Sequence, residues 1–219
     1  MKPGRRYGGR VTPPADPARA ASAARHPALT VSRATARFLA QGHPWVRPDR
    51  FTRGLEHLRP GQPCVLVDER GTPLAAALAD PGAEVCARVF SADPAARFDA
   101  VAALRAAWAR RAALHADAAT DSYRIVHGEA DGLPGLRVER FADVLVVLVL
   151  AECAAPTADA VAAALQALLP TARIVIRDHR DDLRRAPVAD ALWTPAGRTA
   201  PPAPETEVEG RELGVRYPL

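Results

Sequence analysis

Apolar residues in this chain fall in short blocks separated by glycine and proline. Cys64-Val65-Leu66-Val67 and Leu74 to Ala79 flank Asp68-Glu69-Arg70-Gly71, which predicts a β-hairpin. Leu29–Val31 and the alternating stretch Val85 to Phe90 predict further strands. Arg33 to Gln41, with Phe38 and Leu39 as apolar anchors and Gly42 as its stop, reads as a helix. Short strands spaced by Gly/Pro turns predict a small β-barrel over 29–92. Ser91-Ala92-Asp93-Pro94 then offers a capping residue and a proline for a first helical turn. Phe98, Val101, Leu104 and Trp108 follow at helical spacing, so a linking helix is expected from there to about His115.

The second half changes pattern. Strands are expected at Tyr123–His127, Leu136–Phe141, Val144–Leu150 and Arg173–Arg177, with a helix at Thr157–Leu169 that Pro170 ends. The valine-rich block Val144–Leu150 should be a central strand buried on both faces. Thr194 to Thr206 reads as a Pro/Ala/Thr linker, and Glu207 to Tyr217 returns to strand-like alternation. The expected class is α+β: a disordered basic tail (1–28), a barrel (29–92), a linker helix (93–119), a compact α+β unit (120–185), and a linker leading into the start of a further domain (186–219).

Composition narrows the setting. The longest apolar run, Val144 to Ala151, is far short of the roughly 20 residues a membrane span needs. The basic N-terminus has no apolar core of a secretory signal. Cys64, Cys86 and Cys153 are far apart and form no CxxC pair, as expected of small core residues in a reducing cytoplasm. The net charge of +4 suggests an anionic partner, yet residues 1–28 hold six basic groups and one acid, leaving 23 basic and 24 acidic residues beyond them. Any affinity of the folded body for nucleic acid would need a local patch.

One patch is suggested by Gln41 to Arg47. Gly42 permits a tight turn, His43-Pro44 stiffens it and Trp45 offers a large flat ring. Arg33, Arg37, Arg47, Arg50, Arg53 and Arg59 lie nearby in sequence, with Asp49 and Glu56 opposing them. Arginine beside an aromatic ring suits phosphate contact and base stacking. The alternative is a tryptophan plugging the barrel, with the arginines on a solvated face. A second group, His127, Glu129 and Asp131, lies in a loop that could face a substrate. Asp131-Gly132 and Pro134-Gly135 are explained equally well as turn residues. A third run, Arg177 to Arg185, reads as a solvated loop laced with ion pairs. No glycine-rich nucleotide loop, nucleophile–base pairing or metal-ligand spacing is found in the sequence.

Gly42-His43-Pro44-Trp45-Val46 followed by His127-Gly128-Glu129-Ala130-Asp131-Gly132-Leu133-Pro134-Gly135-Leu136 resembles the PUA-containing class I rRNA methyltransferases, similar to the bacterial large-subunit rRNA cytosine-C5 enzymes. The resemblance covers about residues 29–217. It implies a PUA domain that binds RNA (29–92) and a central α+β domain (120–185). It also implies a Rossmann-like domain for S-adenosylmethionine and the chemistry, of which Glu207–Tyr217 would be the lead-in. The family's later motifs, including its cysteine nucleophile, have no counterpart in these residues, and none of the three cysteines sits in the nucleophile's context. The expectation is an RNA-binding portion, with rRNA as partner, that takes no cofactor of its own and does not methylate alone. A split-gene subunit served by a separate catalytic chain, or a free-standing RNA- or ribosome-binding protein, are the alternatives.

Overall fold

Each element of the barrel is set by a local device. In a computed structural model, which describes residues 26–180 and 190–200 and the backbone of two short strands beyond them, Ser32 caps the helix α1 (Arg33–Ala40) by accepting from the Thr35 N–H at 3.2 Å. Gly42, at φ 88°, turns the chain after it. The helix packs against a five-stranded sheet of β1 (Ala28–Thr30), β2 (Trp45–Val46), β3 (Pro63–Val67), β4 (Pro73–Ala79) and β5 (Ala87–Ser91), in the spatial order β1-β3-β4-β5-β2. The β3–β4 hairpin is antiparallel as its turn residues predict, while β1 adds to β3 in parallel. Leu29, Val31, Val46, Cys64, Leu66, Ala77 and Cys86 form the core, with Ala36 and Leu39 of α1 packed on it.

The helix that leaves the barrel starts later than expected. Asp93 makes a side-chain turn with the N–H of Ala95 at 3.0 Å, and the helix α2 (Ala100–Arg110) begins only after Asp99, which caps it through the Ala102 N–H at 2.9 Å. An aspartate that satisfies nearby backbone donors stabilises a turn as readily as a helix end, so Asp93-Pro94 alone does not start one. A short helix, α3 (Ala112–Ala116), follows. It is pinned by His115, which stacks on Trp108 with ring centroids 3.7 Å apart and bonds the Tyr123 hydroxyl at 2.6 Å.

The second unit contains β6 (Ser122–His127), β7 (Leu136–Phe141), β8 (Val144–Val149), the helix α4 (Ala158–Leu168), β9 (Arg173–Asp178), β10 (Ala191–Thr194) and β11 (Gly197–Thr199). The sheet order is β11-β10-β9-β8-β7-β6. β8 and β9 are parallel, joined through α4, and β8 is interior and almost wholly buried, as its unbroken valine run predicts. Leu104, Ile125, Leu136, Val147, Leu165, Ile176 and Trp193 fill the core between one sheet face and the helices. The linker expected to start at Thr194 is corrected here. β10 pairs with β9 through Ala191–Trp193, and Gly197–Thr199 returns against it as a hairpin. Beyond it, β12 (Glu207–Glu209) pairs antiparallel with β13 (Arg216–Pro218). The tail expected to be disordered lies outside the described residues up to residue 25, as does the end of the third charged run at residues 181–185.

The two units have separate cores joined by a small apolar seam of Leu78, Ala151 and Cys153, with Phe90 and Phe98 against it. All three cysteines are buried and unpaired. Burial pushes the Cys64 thiol up to about 12 and the Cys86 thiol up to about 11, and raises Cys153 further, so all three stay protonated core residues. Gly135 sits where the second unit is tightest. Its φ is 69°, and a Cβ there would stand 2.6 Å from the Ala151 Cβ. Gly135→Ala is expected to lower stability by about 2 kcal/mol or more, seen as a fall in Tm of roughly 5 °C or more in a thermal melt.

Candidate nucleic-acid interface

Strand β2 sorts its two side chains to opposite sides: Val46 is fully buried in the barrel core, and Trp45 is 40% exposed. The reading of Trp45 as a core plug is therefore set aside. Phe38, 57% exposed on α1, and His43 complete a row with it, the ring centroids lying 6.2 Å (Phe38–His43) and 6.0 Å (His43–Trp45) apart. The His43 Nδ1 stands 3.3 Å from the Trp45 N–H, which ties the turn after Gly42 to the strand. Beside this row opens a groove of about 240 Å³, lined by Leu39, His43, Pro44, Val89, Phe90 and Glu129 among others.

The arginines named from the sequence are all exposed, but they are not equivalent. Arg47 is paired with Glu84 at 2.9 Å. Arg53 turns back on its own backbone, donating to the Arg50 carbonyl at 2.6 Å and the Thr52 carbonyl at 2.9 Å. Arg50 lies over the Phe51 ring, 4.7 Å from its centroid. Arg33, Arg37 and Arg59 make no side-chain ion pair among the described residues, but Arg33 shares a hollow with Asp68 and Glu69. Arg37, which precedes Phe38 on α1, is thus the available charge beside the aromatic row.

The loop after β6 does not gather its three titratable residues. His127, Glu129 and Asp131 lie at a 3-10 turn (Gly128–Asp131) and point into three different networks. His127 is exposed at the end of β6, its Nδ1 2.5 Å from an Arg124 guanidinium nitrogen. Arg124 in turn pairs with Glu139 at 2.9 Å. Glu129 leaves the second unit altogether. Its Oε1 accepts from the Trp45 indole Nε1 at 2.9 Å and from Arg88 at 3.0 Å.

Asp131 turns inward. Its carboxylate accepts from Arg110 at 2.6 Å, from Arg111 at 2.8 and 2.7 Å, and from the His127 backbone N–H at 2.7 Å. Burial alone would raise its pKa, but the Arg111 and Arg110 hydrogen bonds and the His127 N–H outweigh it and hold the group at about 2. These contacts make Asp131 an organiser of the turn rather than an acid or base. Among the described residues no cluster of histidine, cysteine and carboxylates suits a metal ion.

Arg88, Asp80, Arg110 and Arg111 escaped the reading of the sequence. Arg88 is the cross-strand partner of Trp45 on β5. Its guanidinium lies over the Trp45 ring at 5.7 Å and 3.8 Å from Asp80, whose side chain is 1% exposed. Neither Asp80 oxygen receives a hydrogen bond of normal geometry. Burial raises the Asp80 pKa, and the nearby Cys153 N–H and thiol and the Arg88 charge only partly oppose it. The alternation of Val85–Phe90 marks Arg88 as facing away from the barrel core, but nothing in the spacing reveals a carboxylate from 41 residues downstream.

Against known proteins, residues 29–92 match the model of a PUA-like domain. The chain is 31% identical over 190 residues to ribosomal RNA large subunit methyltransferase I of Cronobacter sakazakii, covering 85% of this chain and 48% of that protein. It is 35% identical over 173 residues to a ribosomal RNA large subunit methyltransferase of Deinococcus radiodurans, covering 76% of this chain and 42% of that protein. The chain spans just under half the length of these curated relatives. In fold it is similar to a Streptococcus mutans protein described as a SAM-dependent methyltransferase, with TM-score 0.63 and 14% identity, covering 88% of this chain and 48% of that one. A methyltransferase structure complexed with SAH matches at the same TM-score. The chain is thus an α+β protein with a PUA-like domain, homologous to part of the large-subunit rRNA methyltransferases. No helix among the described residues is long and apolar enough to cross a membrane.

Two opposite pH effects follow. In the unfolded chain Asp131 titrates near 3.8, and in the folded protein near 2. The folded state therefore binds fewer protons in this window, and the stabilisation, about 2 kcal/mol at neutral pH, is lost as pH falls from about 4 towards 2. Asp131→Asn should abolish that acid-side term and lower Tm at pH 7. Asp80 has the reverse sign: its raised pKa favours folding below 3.8, and that contribution is lost as pH rises through the elevated value. Asp80→Asn should raise Tm at pH 8, with the gain shrinking towards pH 4. Melting curves of both variants across pH check the two signs.

Proposed function

We propose that residues 29–199 are the RNA-gripping part of an S-adenosylmethionine-dependent large-subunit rRNA methyltransferase acting in the cytoplasm, with the methyl-transfer step carried by residues outside this chain. The observation that carries it is the exposed row Phe38, His43 and Trp45 beside Arg37, on the domain that matches the PUA-like model. An aromatic surface flanked by guanidinium groups offers stacking to unpaired bases and charge to their phosphates. The names of the homologous proteins supply the substrate class, large-subunit rRNA. Cytosine C5 as the modified position is the finer part of the proposal and rests on the GHPWV and HGEADGLPGL segments alone.

The described residues do not fit a cradle for S-adenosylmethionine. The glycine-bearing loop after β6 is the nearest to a nucleotide loop, and it is filled by its own groups: Asp131 occupies the His127 N–H, and Gly135 packs against Ala151. Methyl transfer needs the donor held beside an oriented target atom, and transfer to cytosine C5 needs in addition a nucleophile that activates the ring. The inward-turned Asp131 and the three buried, protonated thiols supply none.

Anisotropy titrations with large-subunit rRNA fragments should give salt-sensitive binding. Arg37→Ala should reduce the slope of log K against log salt by about 0.7, the share of one phosphate contact on a single strand. Incubation of the purified chain with rRNA and radiolabelled S-adenosylmethionine should transfer no label. Label in the RNA would overturn the division of labour, and a salt-independent titration would overturn the RNA reading.

A further inference from the structure

An exposed tryptophan ordinarily samples several rotamers, and holding one costs side-chain entropy. Trp45 is 40% exposed, yet it is fixed from two sides. Its indole Nε1 donates to Glu129 Oε1 at 2.9 Å, and the guanidinium of its cross-strand partner Arg88, bound to the same oxygen at 3.0 Å, lies over its ring. Glu129 is separated from Trp45 by 84 residues and belongs to the second unit. Its side chain is 14% exposed, so the acceptor is largely shielded from water that would compete for the indole N–H. Glu129 also forms part of the wall of the groove that His43, Pro44 and Phe90 line.

We propose that Glu129 is a positioning residue for RNA. It sets the plane of the Trp45 ring beside His43 so that one unpaired base stacks there, which makes the RNA surface a joint product of the two units and selective for single strands over duplex. The proposal rests on the reading that Trp45 faces RNA. A base within a duplex has both faces covered by its neighbours and cannot reach the ring, whereas an unpaired base has a free face. Arg88 holds one side of the indole, so stacking falls to its remaining exposed surface.

The test uses the full chain, an unstructured RNA octamer and a blunt-ended, fully paired RNA duplex of the same length, with affinities measured for the wild type, Trp45→Ala, Glu129→Ala, Glu129→Gln and the Trp45/Glu129 double alanine variant. Trp45→Ala should weaken octamer binding by about tenfold, the scale of one lost stacking contact. Glu129→Ala should weaken it by about threefold in the wild type and have no further effect once Trp45 is gone, because its action runs through the ring. Glu129→Gln, whose amide oxygen still accepts from the indole, should stay within about twofold of the wild type. The Trp45 component of the emission, taken as the difference between the wild type and Trp45→Phe, should shift in Glu129→Ala and not in Glu129→Gln. Thermal melts confirm that each variant is folded. Unchanged octamer affinity in Trp45→Ala would sink the RNA reading of this face. A loss in Trp45→Ala with an additive Glu129→Ala effect, a Glu129→Gln variant as weak as Glu129→Ala, or duplex binding as tight as octamer binding would overturn the positioning role and leave that reading standing.

Discussion

Arg88 stands between two carboxylates from different parts of the chain, Asp80 at the end of a barrel strand and Glu129 in the turn of the second unit, and its side chain is 16% exposed. A guanidinium at such depth must be neutralised locally, because the attraction of distant charges and the hydration it has lost cannot do so. The apolar contact between the units is small, centred on Leu78, Ala151 and Cys153 with two phenylalanines at the edge and Gly61 close against Pro156. Hydrophobic contact of that size is non-directional and would allow the units to rotate over each other. The Arg88 contacts are directional and remove that freedom. Buried ionic groups are often poor stabilisers, and Asp80 shows the cost here: it is buried without a hydrogen bond of normal geometry and its charged form is disfavoured. What the arrangement supplies is a defined relation between barrel and sheet.

The loop after β6 shows how one short segment serves several structural ends. Gly128, Gly132 and Gly135 all have positive φ, which lets eight residues turn the chain between the antiparallel strands β6 and β7. The carboxylates within that path are carried to different sides of the turn. Asp131 is carried inward, where Arg110 and Arg111 at the end of α2 complete its charge, and this joins the helix to the turn. Glu129, two residues earlier, is carried outward to the barrel. The turn therefore binds helix, sheet and barrel together, and its polar residues are occupied in doing so.

Periodicity made much of this visible beforehand. The β3–β4 hairpin, the buried strand β8 and the crossover helix α4 each bury a side-chain pattern that spacing alone reveals. Features set by contacts far apart in sequence were hidden. The start of α2 lay at Asp99 and not Asp93 because both aspartates can cap, and packing decides which cap opens a helix. The β10–β11 hairpin was obscured by proline and alanine around Ala191-Leu192-Trp193, although Trp193 is a core residue, 8% exposed. The arginines are all exposed, as either a solvated or an RNA-facing position requires, whereas for Trp45 the sequence leaves surface and core open, and the partner that orders it on the surface comes from 84 residues away.

Such a surface would hold an anionic polymer through few of its charges. Counting arginines along residues 33–59 suggests a strong basic patch, but the geometry removes several of them from that role. Arg47 is offset by Glu84, Arg53 is committed to backbone carbonyls, and acidic Asp68 and Glu69 share a surface hollow with Arg33. Beyond residue 28 the chain carries 23 basic and 24 acidic residues, so these residues add no net positive charge to the patch. Phosphate attraction on the described surface is then confined to a few guanidinium groups, and each contributes only a screened, sequence-independent increment. Stacking is not screened by salt and scales with the area and rigidity of the ring. On this protein the rigid ring is the one that two domains hold in place, so binding that resists salt would come from Trp45 before it came from the arginines.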